Sequence, residues 1–197
     1  MVPLGDKQLV QIVDAAVADA ARRSGSWLKC APGCTQCCVG VFPVSQLDAA
    51  RLREGLASLA VSDPQRAAAV HRRAEASVAR LSPEFPGDSA TGTFDEADLP
   101  EDFANDEPCP ALDPSTGLCD LYAARPMTCR LFGPPLRVDG GIGVCELCFR
   151  GATPDEIAAC AVDLDCETLE NSLTAEAEHT SGRAGSTLVA WALLSEP

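Results

Sequence analysis

The stretch Cys30-Ala31-Pro32-Gly33-Cys34-Thr35-Gln36-Cys37-Cys38 places four sulfur atoms within nine residues. Pro32 and Gly33 interrupt any regular element, so this stretch is predicted to be a loop. Thiolates that are crowded into one loop repel each other unless a cation lies among them. We call residues 30–38 the knot, a name that here implies no disulfide bonds. We expect the knot to bind a soft metal ion or an iron–sulfur cluster.

The rest of the composition indicates the compartment. The chain has eleven cysteines, an odd number, so it cannot pair all of its thiols internally. Residues 1–30 lack the unbroken apolar run of a signal peptide, and no stretch of about 18 apolar residues predicts a membrane span. We expect a cytoplasmic protein with no membrane association, in a compartment that keeps thiols reduced. There, a cysteine-rich pattern favours metal binding over disulfide bonds.

The net charge argues against one class of partner. Fifteen basic and 29 acidic residues give the chain a net charge of −14. A protein that binds nucleic acid needs Lys and Arg to displace the counterions of the phosphates, so we expect no nucleic-acid partner. Many of the acids lie between Asp95 and Glu107. We interpret this run as a solvated loop, with a docking surface for a basic partner or a lid over the cysteines as the alternatives.

Apolar periodicity predicts helices on both sides of the knot. One amphipathic helix is expected over residues 5–23, and residues 82–108, an acidic loop rich in Pro and Gly, are expected to be the least ordered part. Strand signals are weak. Further helices are predicted from start signals at Ser45, Asp63-Pro64 and Thr153-Pro154 and from the apolar residues 188–193. Residues 1–197 should thus form a single, mainly α domain whose helices flank an irregular, loop-built cysteine-rich metal-binding core.

Sulfur is predicted to supply all of the metal ligands. The pairs Cys34-x2-Cys37 and Cys145-x2-Cys148 have the spacing that lets one loop present two thiolates to a metal. The two histidines, His71 and His179, lie in other parts of the sequence and are interpreted as ordinary surface residues. All-thiolate ligation suits zinc, iron–sulfur clusters and Cu(I), and disfavours Mg²⁺ and Ca²⁺.

The adjacent residues Cys37 and Cys38 favour a centre with more than one metal atom. Neighbouring side chains in an extended chain point to opposite faces, so binding both to one zinc ion would need a very tight chelate. Two metal ions, or two irons of one cluster, accommodate the pair more easily. The sequence therefore predicts an iron–sulfur cluster, with zinc as the alternative cofactor.

A second segment, Arg125-Pro126-Met127-Thr128-Cys129-Arg130, combines a thiol with positive charge. The proline is predicted to open a short helix, and the first turn of a helix favours a thiolate. Arg125 and Arg130 would offset the charge of an anionic cluster or hold an anionic substrate, and they are our candidate cofactor-binding residues. The alternative for both arginines is a structural ion pair with Asp113 or Asp120.

The spacing of the cysteines resembles that of the YkgJ-type cysteine-cluster family, from about Cys30 to Cys148. That bacterial family is described as zinc- or iron-chelating, and some members are labelled iron–sulfur oxidoreductases. The resemblance rests on Cys34-x2-Cys37-Cys38 followed by Cys109-Pro110, Gly117-x-Cys119-x2-Tyr122-x2-Arg125-Pro126-x2-Cys129-Arg130 and a later cysteine. It implies a mostly helical fold and metal binding through Cys30, Cys34, Cys37, Cys38, Cys109, Cys119, Cys129 and one of Cys145 or Cys148.

Three functions remain open on the sequence. The favoured one is an iron–sulfur or multi-metal protein in redox chemistry or metal handling, with a protein redox or metal-transfer partner. The second is a zinc-chelating structural or interaction protein, and the third is an Fe–S-containing oxidoreductase component whose catalytic residues are unknown. The knot is expected to converge with the group Cys109, Cys119, Cys129 and Cys148. The last ligand stays open between Cys145 and Cys148, while Cys160 and Cys166 are interpreted mainly as packing residues.

Overall fold

The computed structural model describes residues 1–138 and 140–195. In those residues seven α-helices are joined by long irregular segments, and the prediction of a mainly α fold is confirmed. Each of these helices is too short or too polar to cross a lipid bilayer. The helices are α1 Asp6–Ser24, α2 Gln46–Ser62, α3 Pro64–Leu81, α4 Met127–Leu131, α5 Pro154–Cys160, α6 Glu167–Ser181 and α7 Val189–Leu194.

Two small antiparallel hairpins complete the regular structure of the described residues. Strand β1, Leu112–Asp113, pairs with β2, Leu118–Cys119, and strand β3, Leu136–Val138, pairs with β4, Gly141–Gly143. Strands of two or three residues carry no alternating apolar pattern long enough to predict them. The first hairpin carries Cys119, one of the candidate metal ligands.

Side-chain caps begin the helices where the sequence predicts them. Ser45 accepts a hydrogen bond from the Asp48 N–H at 3.1 Å at the start of α2. Asp63 caps α3 in the same way, ahead of the proline at its first position. Thr153 forms a reciprocal capping box with Glu156 at α5. The helix expected over residues 5–23 is α1, displaced by one residue at each end.

Helix α6 is a difference from the sequence analysis, which predicts no helix over Glu167–Ser181. Its buried residues are Leu173 and Ala177, and Leu169 one turn earlier packs on the same apolar cluster. This i, i+4 spacing is a helical signal, but most of the segment is polar and the stripe is narrow. Gly182, whose φ of 67° is left-handed, ends the helix.

Two apolar clusters hold the helices together. The first joins α2, α3 and α7, and the second joins α1, α2, α4 and α6. Cys109 and Cys119 pack against the edge of the first cluster, so the cysteine-rich loops rest on the helical core. The central residues are Leu52, Val70, Ala74, Ala192 and Leu193 in the first cluster, and Leu9, Val13, Leu47, Met127 and Leu173 in the second.

A buried group of charges connects α1, α2 and α4. The Arg51 side chain is 4% exposed and lies between Asp6, at 2.6 Å, and Asp48. Asp48 also accepts a hydrogen bond from the Met127 N–H at 2.9 Å. Burial raises the pKa of Asp48, against the opposing effect of Arg51. These contacts fix the first residue of α4, the helix that carries Cys129.

The segment 82–108 contains short 3₁₀ turns and isolated β-bridges, and it is anchored by aromatic packing of Phe85 and Phe94 near Trp191. Most of its acidic side chains are exposed, as the solvated-loop interpretation expects. Glu107 is the buried exception: it accepts a hydrogen bond from Arg80 at 2.6 Å. The assignment of the whole chain to one domain stays a prediction.

Candidate metal centre

All eleven cysteines carry free thiols. The structure brings nine of them into two groups, and each group combines cysteines from distant parts of the chain. We call these the five-thiol group, which is Cys37, Cys38, Cys109, Cys119 and Cys129, and the four-thiol group, which is Cys30, Cys34, Cys145 and Cys148.

Main-chain pairing brings the end of the knot to the second cysteine-rich segment. The Cys109 N–H donates to the Cys38 carbonyl at 2.8 Å, and the Gly40 N–H donates to the Glu107 carbonyl at 2.9 Å. Val39 forms an antiparallel bridge with the residue before Cys109. The two chain segments therefore lie side by side, and Cys38 and Cys109 are neighbours in space.

The first hairpin adds Cys119 to the five-thiol group. Cys119 lies in β2 opposite Leu112. The next residue, Asp120, is held by Arg66 at 2.7 Å and by Arg73 at 2.6 Å, so the hairpin is fastened to α3. Burial raises the pKa of Cys119, and the nearby Arg125 guanidinium opposes that rise.

Cys129 lies in the first turn of α4, the helix that begins after Pro126, as the sequence predicts. Its pKa is nevertheless raised, first by burial and then by the thiols of Cys109, Cys119 and Cys37. The expectation that the helix position favours its thiolate is therefore wrong for the free protein, because burial outweighs the helix terminus. The same two effects, burial first, raise the pKa of Cys109 to about 11.

The adjacent cysteines of the knot share one group. Gln36, Cys37 and Cys38 form a 3₁₀ turn rather than an extended segment, so the premise that the two side chains point apart is incorrect. A hydrogen bond between the thiols lowers the pKa of Cys37 to about 6 and raises that of Cys38. The two sulfur atoms thus lie beside each other within one group.

The four-thiol group joins the start of the knot to the Cys145-x2-Cys148 pair. Burial raises the pKa of Cys30 to about 12, and the thiols of Cys148, Cys34 and Cys145 add to that rise. The Lys29 N–H donates to Cys148 Sγ at 3.3 Å. The backbone next to Cys30 is therefore in direct contact with the Cys148 side chain.

The structure corrects the expected convergence of the knot with Cys109, Cys119, Cys129 and Cys148. The knot divides: Cys30 and Cys34 lie with Cys148, whereas Cys37 and Cys38 lie with the other three. The physical reason is the pairing of residues 38–40 with 107–109, which carries the end of the knot away from its start.

The two candidate arginines differ in their surroundings. Arg130 is 3% exposed and donates to Asp14 at 2.9 Å and to the Ala123 carbonyl at 2.5 Å. The Arg125 guanidinium stacks on the Tyr122 ring, 4.0 Å from its centroid, and its positive charge opposes the rise in the pKa of Cys119. The ion-pair partner is thus Asp14, at 2.9 Å from Arg130 and 3.7 Å from Arg125, and not Asp113 or Asp120. Cofactor binding by either arginine stays a prediction.

The remaining candidates lie outside both groups. Cys160 is buried in an apolar cluster at the end of α5. Cys166 occupies the N-cap position of α6, without a side-chain capping bond, and packs on the second core cluster. His71 is exposed beside Glu75, at 3.4 Å, and His179 lies in the last turn of α6.

The chemistry of the donors fits a soft metal, since two sets of free thiols converge without forming disulfides. Within residues 1–138 and 140–195, no three His, Cys, Asp or Glu side chains already stand in an arrangement that could hold an ion. Binding would therefore have to draw the sulfur atoms of a group closer together. Rotation about the single side-chain torsion of each cysteine is the simplest way to do so.

Comparison with known proteins identifies the segment that carries most of these thiols. The family model described as "CxxCxxCC: Putative zinc- or iron-chelating domain" matches residues 29–136, more than half of the chain. No curated protein and no solved structure matches. The matched residues include the whole five-thiol group together with Cys30 and Cys34, and the resemblance to the YkgJ-type family is confirmed. The chain belongs to the CxxCxxCC family of zinc- or iron-chelating domains.

Proposed function

We propose that the five-thiol group holds an iron–sulfur cluster or several soft metal ions, and that the protein works in redox chemistry or metal handling. The observation that supports this most strongly is that the adjacent residues Cys37 and Cys38 both lie within one group of five thiols. A single tetrahedral ion takes four thiolates, so five thiols that include neighbours favour more than one metal atom. An iron–sulfur cluster, when bound, would supply electron transfer.

The surrounding residues support a buried, anionic centre. Cys109 packs on the first core cluster, and burial raises the pKa of both Cys109 and Cys129. The Arg73 guanidinium opposes the rise in the pKa of Cys109, and Arg125 does the same for Cys119. Several thiolates around a metal carry excess negative charge, so these two arginines would stabilise the loaded state.

A zinc-chelating structural or interaction protein is the second candidate. The observation that favours it is the purely thiol character of both groups, because zinc accepts four cysteines in a closed tetrahedron. A protein partner for electron or metal transfer and a reducing cytoplasmic location are part of the first proposal. Both candidates require the thiols to stay reduced.

Purification without oxygen separates the two candidates. An iron–sulfur cluster should give a brown protein with visible absorption and with iron and acid-labile sulfide in the same preparation. Zinc without sulfide, in a colourless protein, would select the second candidate. A folded chain that contains neither metal would overturn both. The variant Cys129→Ser should lose the metal of the five-thiol group, whereas the matched variant Cys160→Ser, which lies outside both groups, should keep it.

A further inference from the structure

We infer that the chain has a second, separate metal centre, in which Cys30, Cys34, Cys145 and Cys148 hold one zinc ion in a closed four-thiolate site. Cys145 and Cys148 lie beyond residues 29–136, the part matched by the family model. The inference goes beyond the proposed function, because the five-thiol group can bind its metal whether or not this site exists.

Two tight turns present the four sulfur atoms in pairs. The Cys34 N–H donates to the Ala31 carbonyl at 2.9 Å, and the Cys148 N–H donates to the Cys145 carbonyl at 2.8 Å. Each turn therefore has a cysteine at or next to its first residue and another at its end. Two such loops, each with two thiolates, make up the usual ligand set of a structural zinc site.

Contacts on both sides hold the two turns against each other. On one side the Lys29 N–H donates to Cys148 Sγ at 3.3 Å. On the other side the Gln36 amide donates to the Glu146 carboxylate at 2.9 Å. Residues 29–36 and 145–148 therefore meet along their length and not at one atom.

An apolar cluster packs against one side of the group. Trp27 stacks on Phe149 with ring centroids 6.3 Å apart, and the Phe149 N–H donates to the Trp27 carbonyl at 3.1 Å. Cys148 is buried among Leu28 and other apolar residues of this cluster. On another side of the group Gly133 lies so close to Cys30 that an added Cβ would be 3.2 Å from Cys30 Sγ. Cys148 thus lies in apolar surroundings, Cys34 and Cys145 are half-buried and Cys30 is exposed, so the site would lie at the edge of this apolar cluster.

The site would connect chain segments that are more than a hundred residues apart in sequence. It joins the loop after α1 to the loop after the second hairpin, and at the contact these loops have neither α-helix nor strand, only the 3₁₀ turn that begins at Gln36. Because metal binding free energy is folding free energy in such a site, a zinc ion here would set the position of both loops.

The test compares the double variant Cys145→Ser/Cys148→Ser with Cys160→Ser, whose thiol is buried in the same apolar cluster but belongs to neither group. Each full-length protein is loaded with Zn²⁺ under anaerobic conditions, and zinc per chain is measured after desalting. The double variant should bind one zinc ion fewer per chain than Cys160→Ser and should keep the remaining metal. Equal zinc content in the two variants would overturn the inference.

A second measurement covers the case in which the double variant does not fold. Wild-type protein loaded with Zn²⁺ is alkylated with iodoacetamide, before and after chelation, and its peptides are analysed by mass spectrometry. Cys30, Cys34, Cys145 and Cys148 should be protected until the chelator is added. A chain that retains zinc while these four thiols react freely would contradict the second site alone. A wild-type chain that binds no metal would defeat the proposed function as well.

Discussion

The surroundings of each cysteine determine what its loss should do. The Cys37 thiol has several other thiols of its group beside it. Cys160 is instead enclosed by apolar side chains such as Ile157. The first position has neighbours that can share a metal, and the second contributes packing only. Substitutions at these two residues therefore separate metal binding from ordinary core stability.

Cys37→Ser should lower the metal content and the melting temperature together, because a hydroxyl is a poor ligand for a soft metal and binding energy here is folding energy. Cys160→Ser should reduce stability alone, by about 1–3 kcal/mol for a buried hydroxyl without a partner. Metal analysis and thermal unfolding check both. Unchanged metal content and unchanged melting in Cys37→Ser would contradict the assignment.

Gly133 offers a test of the contact at Cys30. Its φ of +123° disfavours any side chain, and an added Cβ would lie 3.2 Å from Cys30 Sγ. Gly133→Ala should therefore weaken zinc retention in a chelator competition as well as stability. The control is Gly182→Ala, which also has a positive φ, costs about 1 kcal/mol, and has no atoms within 4 Å of the new Cβ. Equal zinc retention in both variants would argue against a site at Cys30.

At the scale of the elements, buried charges position the short helix α4. Arg51 pairs with both Asp6 and Asp48, and Asp48 in turn accepts a hydrogen bond from the backbone N–H of Met127. Removing Arg51 would leave two carboxylates without a counterion in the core. The same change would loosen the helix that carries Cys129.

Arg51→Ala should lower the free energy of unfolding by about 3–5 kcal/mol, because it leaves buried charge uncompensated. The matched control is Arg22→Ala, which breaks an exposed ion pair with Asp19 on α1 and should cost no more than about 1 kcal/mol. Urea unfolding of both proteins under anaerobic conditions measures the difference. A loss in Arg51→Ala as small as that of the control would contradict the structural role of the buried group.

Local signals made most helices predictable from the sequence, and non-local pairing limited the prediction of the site. Ser45 and Thr153 cap their own helices, so their effect is visible within four residues. The division of the knot depends instead on residues 38–40 meeting 107–109, a contact with no signature in either segment alone. The partner of Arg130, Asp14, is equally remote in sequence. The composition thus predicts that the candidate ligands are thiols, but it does not predict which cysteines lie together in space.

At the scale of the whole molecule, helices and metal centres should contribute separately to order. The buried residues of the cluster of α2, α3 and α7 are apolar and include no cysteine. The loops that carry the two thiol groups have little regular structure and rely on a few main-chain hydrogen bonds. The loops should therefore respond first when metal is removed.

Chelation, or acid that protonates the thiols, should lower the melting temperature and open residues 27–38 and 144–152 to protease, while most of the helical circular dichroism remains. Thermal scans and limited proteolysis followed by mass spectrometry check this, and restored zinc should reverse the cleavage. The same melting temperature and the same cleavage pattern with and without chelator would show that the loops do not depend on a metal.

Native mass spectrometry of the anaerobically purified protein tests most directly whether these thiols bind metal. The mass of the folded chain should exceed that of the denatured chain by the mass of the bound metal, with contributions from both thiol groups. A folded chain whose native and denatured masses agree, with its cysteines free or joined in disulfides, would contradict the account.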